Sequence, residues 1–137
     1  MKAVLNGLAT FALIMSIAGI AHADDDWKGG DAAKGEKVFK KCQACHTVEE
    51  GGPNRVGPNL HGILDRPTAS KADYNYSSAM KAKGASGMKW TEENLFSYLE
   101  KPQAFVPGTN MTFPGLKKPE DRKDLIAYLE TAAGHTK

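Results

Sequence analysis

The two cysteines constrain this chain more than any other feature, because they are its only ones and just two residues separate them. They stand in the motif Cys42-Gln43-Ala44-Cys45-His46, so an imidazole directly follows the second thiol. A disulfide across so short a loop would stabilise little, since the entropy that a crosslink removes from the unfolded chain grows with loop length. A thioredoxin-like dithiol would follow a strand in a βαβ unit, whereas Val38, Phe39 and Cys42 have helical spacing.

A zinc site and a covalent haem are the other two interpretations of this CQACH motif. Zinc needs four ligands, and His61 and His135 are too isolated to form a second ligand pair. Haem attachment explains all three residues together, because the two thiols add to the haem vinyl groups as thioethers and the adjacent imidazole binds the iron. The motif therefore predicts one covalently bound haem c per chain, attached through Cys42 and Cys45 and ligated by His46.

The first 23 residues have the pattern of a secretory signal peptide. Lys2 precedes an almost uninterrupted apolar run over residues 8–20, and Ala21-His22-Ala23 places small residues at the −3 and −1 positions of a cleavage site. A helix of this run would span roughly 20 Å, short of the ~30 Å hydrocarbon core of a bilayer. We expect cleavage, export to the periplasm and no stable membrane insertion of residues 24–137; an uncleaved membrane anchor is the alternative.

Length and charge limit the remaining possibilities. The 137 residues suit a single compact domain, which we place in residues 24–137. The 18 Lys and Arg side chains nearly balance the 16 Asp and Glu side chains, for a formal net charge of +2. No basic run is interleaved with aromatic residues, so we do not expect nucleic-acid binding.

The role of a haem protein depends on what occupies the sixth coordination position of the iron, which can be Met, His, Lys or no side chain. Met111 lies in residues 107–114 (PGTNMTFP), where two prolines and Gly108 break regular structure and fix an irregular path. Such a loop can deliver one side chain to a chosen point. Met80 and Met88 lie in a connecting region rich in Gly and Lys, and we interpret them as ordinary core side chains.

Three segments have apolar positions at helical spacing. They predict a helix from about Asp31, a helix that Thr91 caps and Pro102 ends, and a helix that opens at Pro119 and stops before Gly134. No segment alternates convincingly as a strand. The sequence thus predicts an all-α protein.

Gly35 leaves a gap in the apolar face of the first helix, where the two terminal helices could cross. The connection over residues 45–90 is rich in Gly, Pro, Ser and Asn and is long for a loop in so small a domain. A haem would supply the apolar surface against which this connection packs. We expect three to five helices with long loops wrapped around one haem, and a poorly folded chain without it.

These segments together resemble class I cytochrome c, of the mitochondrial-like small soluble bacterial type. The resemblance covers nearly the whole chain after residue 23, in the matched segments 30–39, 42–46, 56–62, 90–99, 107–115 and 124–129. It implies the cytochrome c fold and a soluble monomer that shuttles single electrons between respiratory or photosynthetic redox complexes. It does not imply an enzyme. A haem-based enzyme or ligand sensor with an open sixth site is the alternative function.

The resemblance also implies a ligand set. His46 and Met111 would be the axial ligands of the iron, and the carbonyl of Pro58 would accept a hydrogen bond from the other nitrogen of His46. Two departures from the family stand out. Met80 occupies a position near the haem where mitochondrial members usually carry a polar Asn, which changes the polarity of that wall, and residues 77–90 form a longer stretch than in those members.

Further haem contacts follow from the resemblance alone. Three residues fall where the family hydrogen-bonds the haem propionates: Arg66, Tyr76 and Trp90. Tyr98 and Thr109 fall beside the methionine ligand and the propionate wall, and Phe113 matches the aromatic side chain that shields the haem edge.

Five lysines flank the haem-carrying motifs: Lys40, Lys41, Lys101, Lys117 and Lys118. We hypothesise that they ring the exposed haem edge and steer encounters with acidic electron donors and acceptors. Charges at the rim of an interface act more on the association rate than on affinity.

Overall fold

The structure is a computed structural model that describes residues 26–132 and residue 134. This part of the chain contains five helices: α1 (Ala32–Phe39), α2 (Ser78–Ala85), α3 (Glu92–Glu100), α4 (Pro102–Phe105) and α5 (Pro119–Ala132). Its only β-type pairing is an isolated antiparallel bridge between Pro67 and Lys89. The prediction of an all-α fold is confirmed.

The predicted signal peptide lies outside the described residues. Among the helices that the structure does describe, none combines the length and the apolar character that crossing a membrane requires.

Helices α1 and α5 pack closely because glycine leaves room for backbone contact. A Cβ at Gly35 would overlap the carbonyl of Asp124 on α5, and a Cβ at Gly30 would overlap the carbonyl of Lys123. The predicted crossing of the terminal helices at Gly35 is confirmed. Next to it the rings of Phe39 and Tyr128 lie 5.2 Å apart, centroid to centroid.

The predicted helix ends agree closely with the structure. The carboxylate of Asp31 accepts hydrogen bonds from the backbone N–H groups of Ala33 and Lys34, at 2.9 and 3.1 Å. The hydroxyl of Thr91 caps α3 by accepting from the N–H of Asn94 at 3.1 Å. Side-chain caps of this kind satisfy N–H groups that have no partner within the helix, which is why these ends could be read from the sequence.

Helices α2 and α4 were not predicted individually from the sequence. Only Met80 of α2 is buried, so no apolar stripe marks this helix. Its position depends on tertiary contact instead, since a Cβ at Gly84 would overlap the carbonyl of Thr68. Helix α4 is a single turn that begins with Pro102, and one turn is too short to be stable by itself.

The connection between the CQACH motif and α3 is held by scattered hydrogen bonds. The amide of Asn59 donates to the Thr47 hydroxyl at 2.7 Å and to the Glu49 carbonyl at 3.0 Å. Further along, Trp90 and Arg66 are joined by a backbone bond from the Trp90 N–H to the Arg66 carbonyl, at 2.9 Å. These bonds hold the rest of this connection, outside α2, in an irregular path.

Candidate haem site

The CQACH motif continues directly from the end of α1. The N–H of Cys42 donates to the carbonyl of Phe39 at 2.7 Å, and the N–H of His46 donates to the carbonyl of Cys42 at 2.9 Å. These turns bring both thiols and the imidazole to one cavity, which all three side chains line. Burial raises the pKa of the Cys42 thiol to about 11, although the nearby Lys41 acts the other way.

The imidazole of His46 is fixed in orientation and in tautomer. Its Nδ1 lies 2.7 Å from the carbonyl oxygen of Pro58, and because a carbonyl can only accept, Nδ1 carries the proton. Nε2 is then the nitrogen with a free lone pair. A Cβ at Gly57 would overlap the imidazole ring, so glycine is needed there for the close approach. Burial lowers the pKa of His46 despite the Pro58 bond, which favours the neutral form that binds metals.

The sulfur of Met111 is held by a short chain of hydroxyl groups. The Tyr98 hydroxyl lies 3.3 Å from Met111 Sδ and 3.0 Å from Thr109 Oγ1, and Thr109 Oγ1 accepts from the Met111 N–H at 3.3 Å. The bonds are consistent if Thr109 donates to Tyr98 and Tyr98 donates to the sulfur. Burial raises the pKa of Tyr98, so the phenol keeps the proton that it donates.

These groups share a cavity of about 400 Å³. Its size falls in the range of roughly 300–1,000 Å³ that is usual for small-molecule and cofactor sites. All eleven residues that the sequence analysis assigned to the haem line it: Cys42, Cys45, His46, Pro58, Arg66, Tyr76, Trp90, Tyr98, Thr109, Met111 and Phe113. Two thiols, an imidazole and a thioether within one largely apolar cavity form a donor set that fits a covalently attached haem.

The polar residues among them have protein partners as well. Arg66 donates to the carbonyls of His61 and Asn59, at 2.9 and 3.3 Å. The Tyr76 hydroxyl accepts from the N–H of Lys71 at 3.4 Å. These bonds restrain the side chains while they face the cavity.

Several other residues of the cavity wall were not assigned to it from the sequence. Met80 differs from the others, because the resemblance had placed it near the haem; it is buried and lines the cavity. Leu95 and Leu99 could have been found from their helical spacing on α3. Val56, which is 77% exposed, and Tyr74, whose hydroxyl donates to the Val56 carbonyl at 2.6 Å, lie in irregular loops that give no periodic signal.

The five lysines of the hypothesised ring are all exposed. Lys41 lies at the wall of the cavity and forms an ion pair with Asp121 at 3.9 Å. The ammonium group of Lys117 donates to the carbonyls of Glu100 and Pro114, at 3.2 and 3.4 Å. Pro114 also lines the cavity, so at least these two charges lie close to its mouth.

Comparison with known proteins places the chain in a family. The family model described as cytochrome c matches residues 32–133. The chain is 47% identical to cytochrome c of Nigella damascena over 107 residues, covering 77% of this chain and 94% of the relative. It is 52% identical to cytochrome c of Gibberella zeae over 103 residues (74% and 94%), and 49% identical to cytochrome c2 of Agrobacterium tumefaciens over 100 residues (73% and 90%).

The chain belongs to the cytochrome c family. It is a haem electron carrier with one covalently bound haem c, as the CQACH motif predicted. The family's members are electron carriers and generally not enzymes.

Proposed function

We propose that this chain is exported to the periplasm, cleaved after Ala23 and used there as a monomeric shuttle for single electrons between respiratory or photosynthetic redox complexes. Export is supported by the signal-peptide pattern of residues 1–23. A bacterial cytochrome c2 among the relatives supports a periplasmic type of carrier. Sequencing the N-terminus of the purified protein should give Asp24 as the first residue, and a chain that still begins at Met1 would contradict cleavage.

The observation that carries the proposal is that His46 and Met111 line one cavity together with both cysteines. We assign Cys42 and Cys45 as the thioether attachments, and His46 Nε2 and Met111 Sδ as the axial ligands. Bound haem supplies an iron centre that accepts and releases one electron. The protein's part is to keep both axial side chains in place, so that little has to move when the charge changes.

The surrounding residues each have a definite task in this proposal. Pro58 holds the imidazole of His46, and the Tyr98–Thr109 pair holds the sulfur of Met111. Arg66, Tyr76 and Trp90 would bind the haem carboxylates, and Phe113 would cover the edge of the cavity. With both axial positions occupied by side chains, no position is left for a substrate, and we therefore propose a carrier without enzymatic activity.

The ligand assignment is tested on the ferric holoprotein. A pyridine haemochrome spectrum should show haem that acid-acetone cannot extract, and a near-infrared sulfur-to-iron charge-transfer band should show a bound thioether. Met111→Ala should abolish this band, whereas Met88→Leu, at a half-buried methionine outside the cavity wall, should keep it. Loss of the band in Met80→Leu but not in Met111→Ala would overturn the assignment. A wild-type protein without the band would favour an enzyme or a ligand sensor.

We also propose that the exposed lysines guide the partners. An electron donor or acceptor with an acidic rim would be drawn to the mouth of the cavity, near Lys41 and Lys117, before it makes close contact. The association rate with the natural partner should fall as ionic strength rises, because salt screens exposed charges over about 10 Å at 0.1 M. Lys117→Gln should lower this rate more than Lys34→Gln, on α1 two turns before Cys42. Equal rates for both variants, or a rate independent of salt, would contradict the idea.

A further inference from the structure

We call residues 107–115 the methionine loop. On its outer side, one side chain of helix α4 forms hydrogen bonds with the loop backbone. The side-chain amide of Gln103 donates to the carbonyl of Thr109 at 2.9 Å and to the carbonyl of Met111 at 3.1 Å. An amide NH₂ group has two hydrogens, and both are used here. The two carbonyls flank Asn110, so Gln103 bridges the segment that carries the methionine.

The backbone of Gln103 is well placed to act as a fixed support. Pro102 before it is buried, and Val106 at the end of α4 is completely buried. The Val106 N–H donates to the Pro102 carbonyl at 2.9 Å, which closes the turn. The ring of Phe105 also lies 6.2 Å from that of Tyr98. These contacts hold a one-turn helix that would not be stable alone, and Gln103 projects from its exposed side.

The inner side of the same loop segment is held separately. There the Tyr98 and Thr109 hydroxyl groups contact each other, and Tyr98 also contacts the sulfur of Met111. The loop has no helix or strand of its own to pair its carbonyls. Gln103 therefore supplies from outside the donors that secondary structure would otherwise supply.

We propose that Gln103 is a positioning residue that clamps the carbonyls of Thr109 and Met111 and thereby limits how often Met111 swings out of the cavity. The inference rests on the proposed function, in which Met111 is an axial ligand. Without the clamp, the inner contacts of Tyr98 and Thr109 remain, so the loop still closes. The loop opens more often, because water then hydrogen-bonds the carbonyls of Thr109 and Met111 equally well in the open and in the closed position.

The test measures loop opening in the ferric holoprotein through the binding of added imidazole, which can occupy the iron only when the methionine has left. Gln103→Leu keeps the size of the side chain and removes both donors. It should bind imidazole about three- to tenfold more tightly than the wild type, the factor expected from the net loss of one or two exposed hydrogen bonds. Gln103→Glu should show at least the same increase, since a carboxylate faces two carbonyl oxygens.

Ala104→Glu is the matched control. It places the same negative charge on the neighbouring exposed residue of α4, away from the two carbonyls, and should leave imidazole affinity within about twofold of the wild type. The clamp is refuted if the imidazole affinity of Gln103→Leu also stays within twofold of the wild type. It is also refuted if Ala104→Glu increases this affinity as much as Gln103→Glu does.

Two further measurements separate the clamp from a general effect and from the proposed function. Hydrogen exchange at the Met111 N–H should accelerate in Gln103→Leu while exchange in α1 and α5 stays unchanged; uniform acceleration would mean a merely structural role and overturn the proposal. If the wild-type protein lacks the near-infrared band, the proposed ligand set is wrong. The clamp is then judged only by whether hydrogen exchange at the Met111 N–H accelerates in Gln103→Leu. If the band is present and neither readout changes, the clamp alone fails.

Discussion

The helix pair α1 and α5 and the loops around the cavity are stabilised in different ways. The helices meet backbone to backbone at Gly35 and bury Phe39, Leu125 and Ile126 almost completely. The loops over residues 45–77, 86–90 and 107–115 are joined by individual hydrogen bonds of the backbone and of side chains, and many of their side chains line the cavity.

This difference indicates which part of the fold depends on the cofactor. The two helices contact each other directly at Gly35 and through the rings of Phe39 and Tyr128, and these contacts do not need the haem. Phe39, Leu125 and Leu129 also line the cavity, so only part of the helix pair depends on its occupant. The loops have apolar side chains whose partner is the haem itself. Stability should therefore be unevenly distributed, with the helix pair the last region to open.

The largest effect should come from removing the haem. In Cys42→Ser/Cys45→Ser the cavity of about 400 Å³ would have no covalently held occupant. The apolar wall of the cavity would then face water instead of haem, so the hydrophobic stabilisation that the haem supplies would be lost. We expect loss of cooperative unfolding by circular dichroism, with any residual amide protection confined to α1 and α5. A sharp thermal transition near that of the holoprotein would contradict this view of the loops.

The next largest effect should come from the contact between the helices. Gly35→Ala would force the Asp124 carbonyl away and separate α1 from α5, at a cost of about 3 kcal/mol or more in the free energy of unfolding. The control is Gly51→Ala, where a Cβ meets open space and only the positive φ of 70° is strained, at about 1 kcal/mol. Guanidinium unfolding of both holoproteins measures the difference. Equal destabilisation would show that the crossing is not the critical contact.

A third substitution tests the contact between helix α5 and the end of the methionine loop. Arg122 of α5 is only 4% exposed, and it donates to the carbonyls of Leu116 and Lys117, at 2.7 and 3.2 Å, just beyond the methionine loop. Its guanidinium group also lies 4.2 Å from the ring centroid of Phe96. Arg122→Met should cost about 2–3 kcal/mol, because both carbonyls lose a charged donor.

The exposed Arg55, which donates to one carbonyl at 3.0 Å, is the control for this substitution. Arg55→Met should cost less than about 0.5 kcal/mol by guanidinium unfolding. If Arg122→Met is equally mild, then the end of the methionine loop does not depend on α5.

The smallest effect on stability should come from the N-terminal cap of helix α1, which is Asp31. Asp31→Ala removes the acceptor for the N–H groups of Ala33 and Lys34 and should cost about 1 kcal/mol in the free energy of unfolding. Asp31→Asn retains a capping oxygen and should lower the free energy of unfolding by only about 0.3 kcal/mol. A loss as large in Asp31→Asn as in Asp31→Ala would assign the effect to charge rather than to the cap.

Much of helices α1, α3 and α5 was predictable because their signals are local. Asp31 and Thr91 mark helix starts by capping chemistry, and Pro102 marks the end of α3 by lacking an N–H. Helix α2 also has a cap, since the Ser77 hydroxyl accepts from the Met80 N–H at 3.1 Å, but no apolar stripe follows it because Met80 is its only buried residue. Its position is set by Gly84, where a Cβ would overlap the carbonyl of Thr68.

The residues of the candidate site also divide into those with a local sequence signal and those without one. The sequence by itself determined the CQACH motif, the irregular loop around Met111 and the glycine that lets the helices cross, because each depends on the chemistry of neighbouring residues. Only the tertiary structure decided that His46 and Met111 line one cavity, that Val56 and Tyr74 lie on its wall and that Gln103 hydrogen-bonds the methionine loop. These contacts join residues distant in sequence or without periodicity, and the packing of the whole chain, not any local pattern, sets their distances.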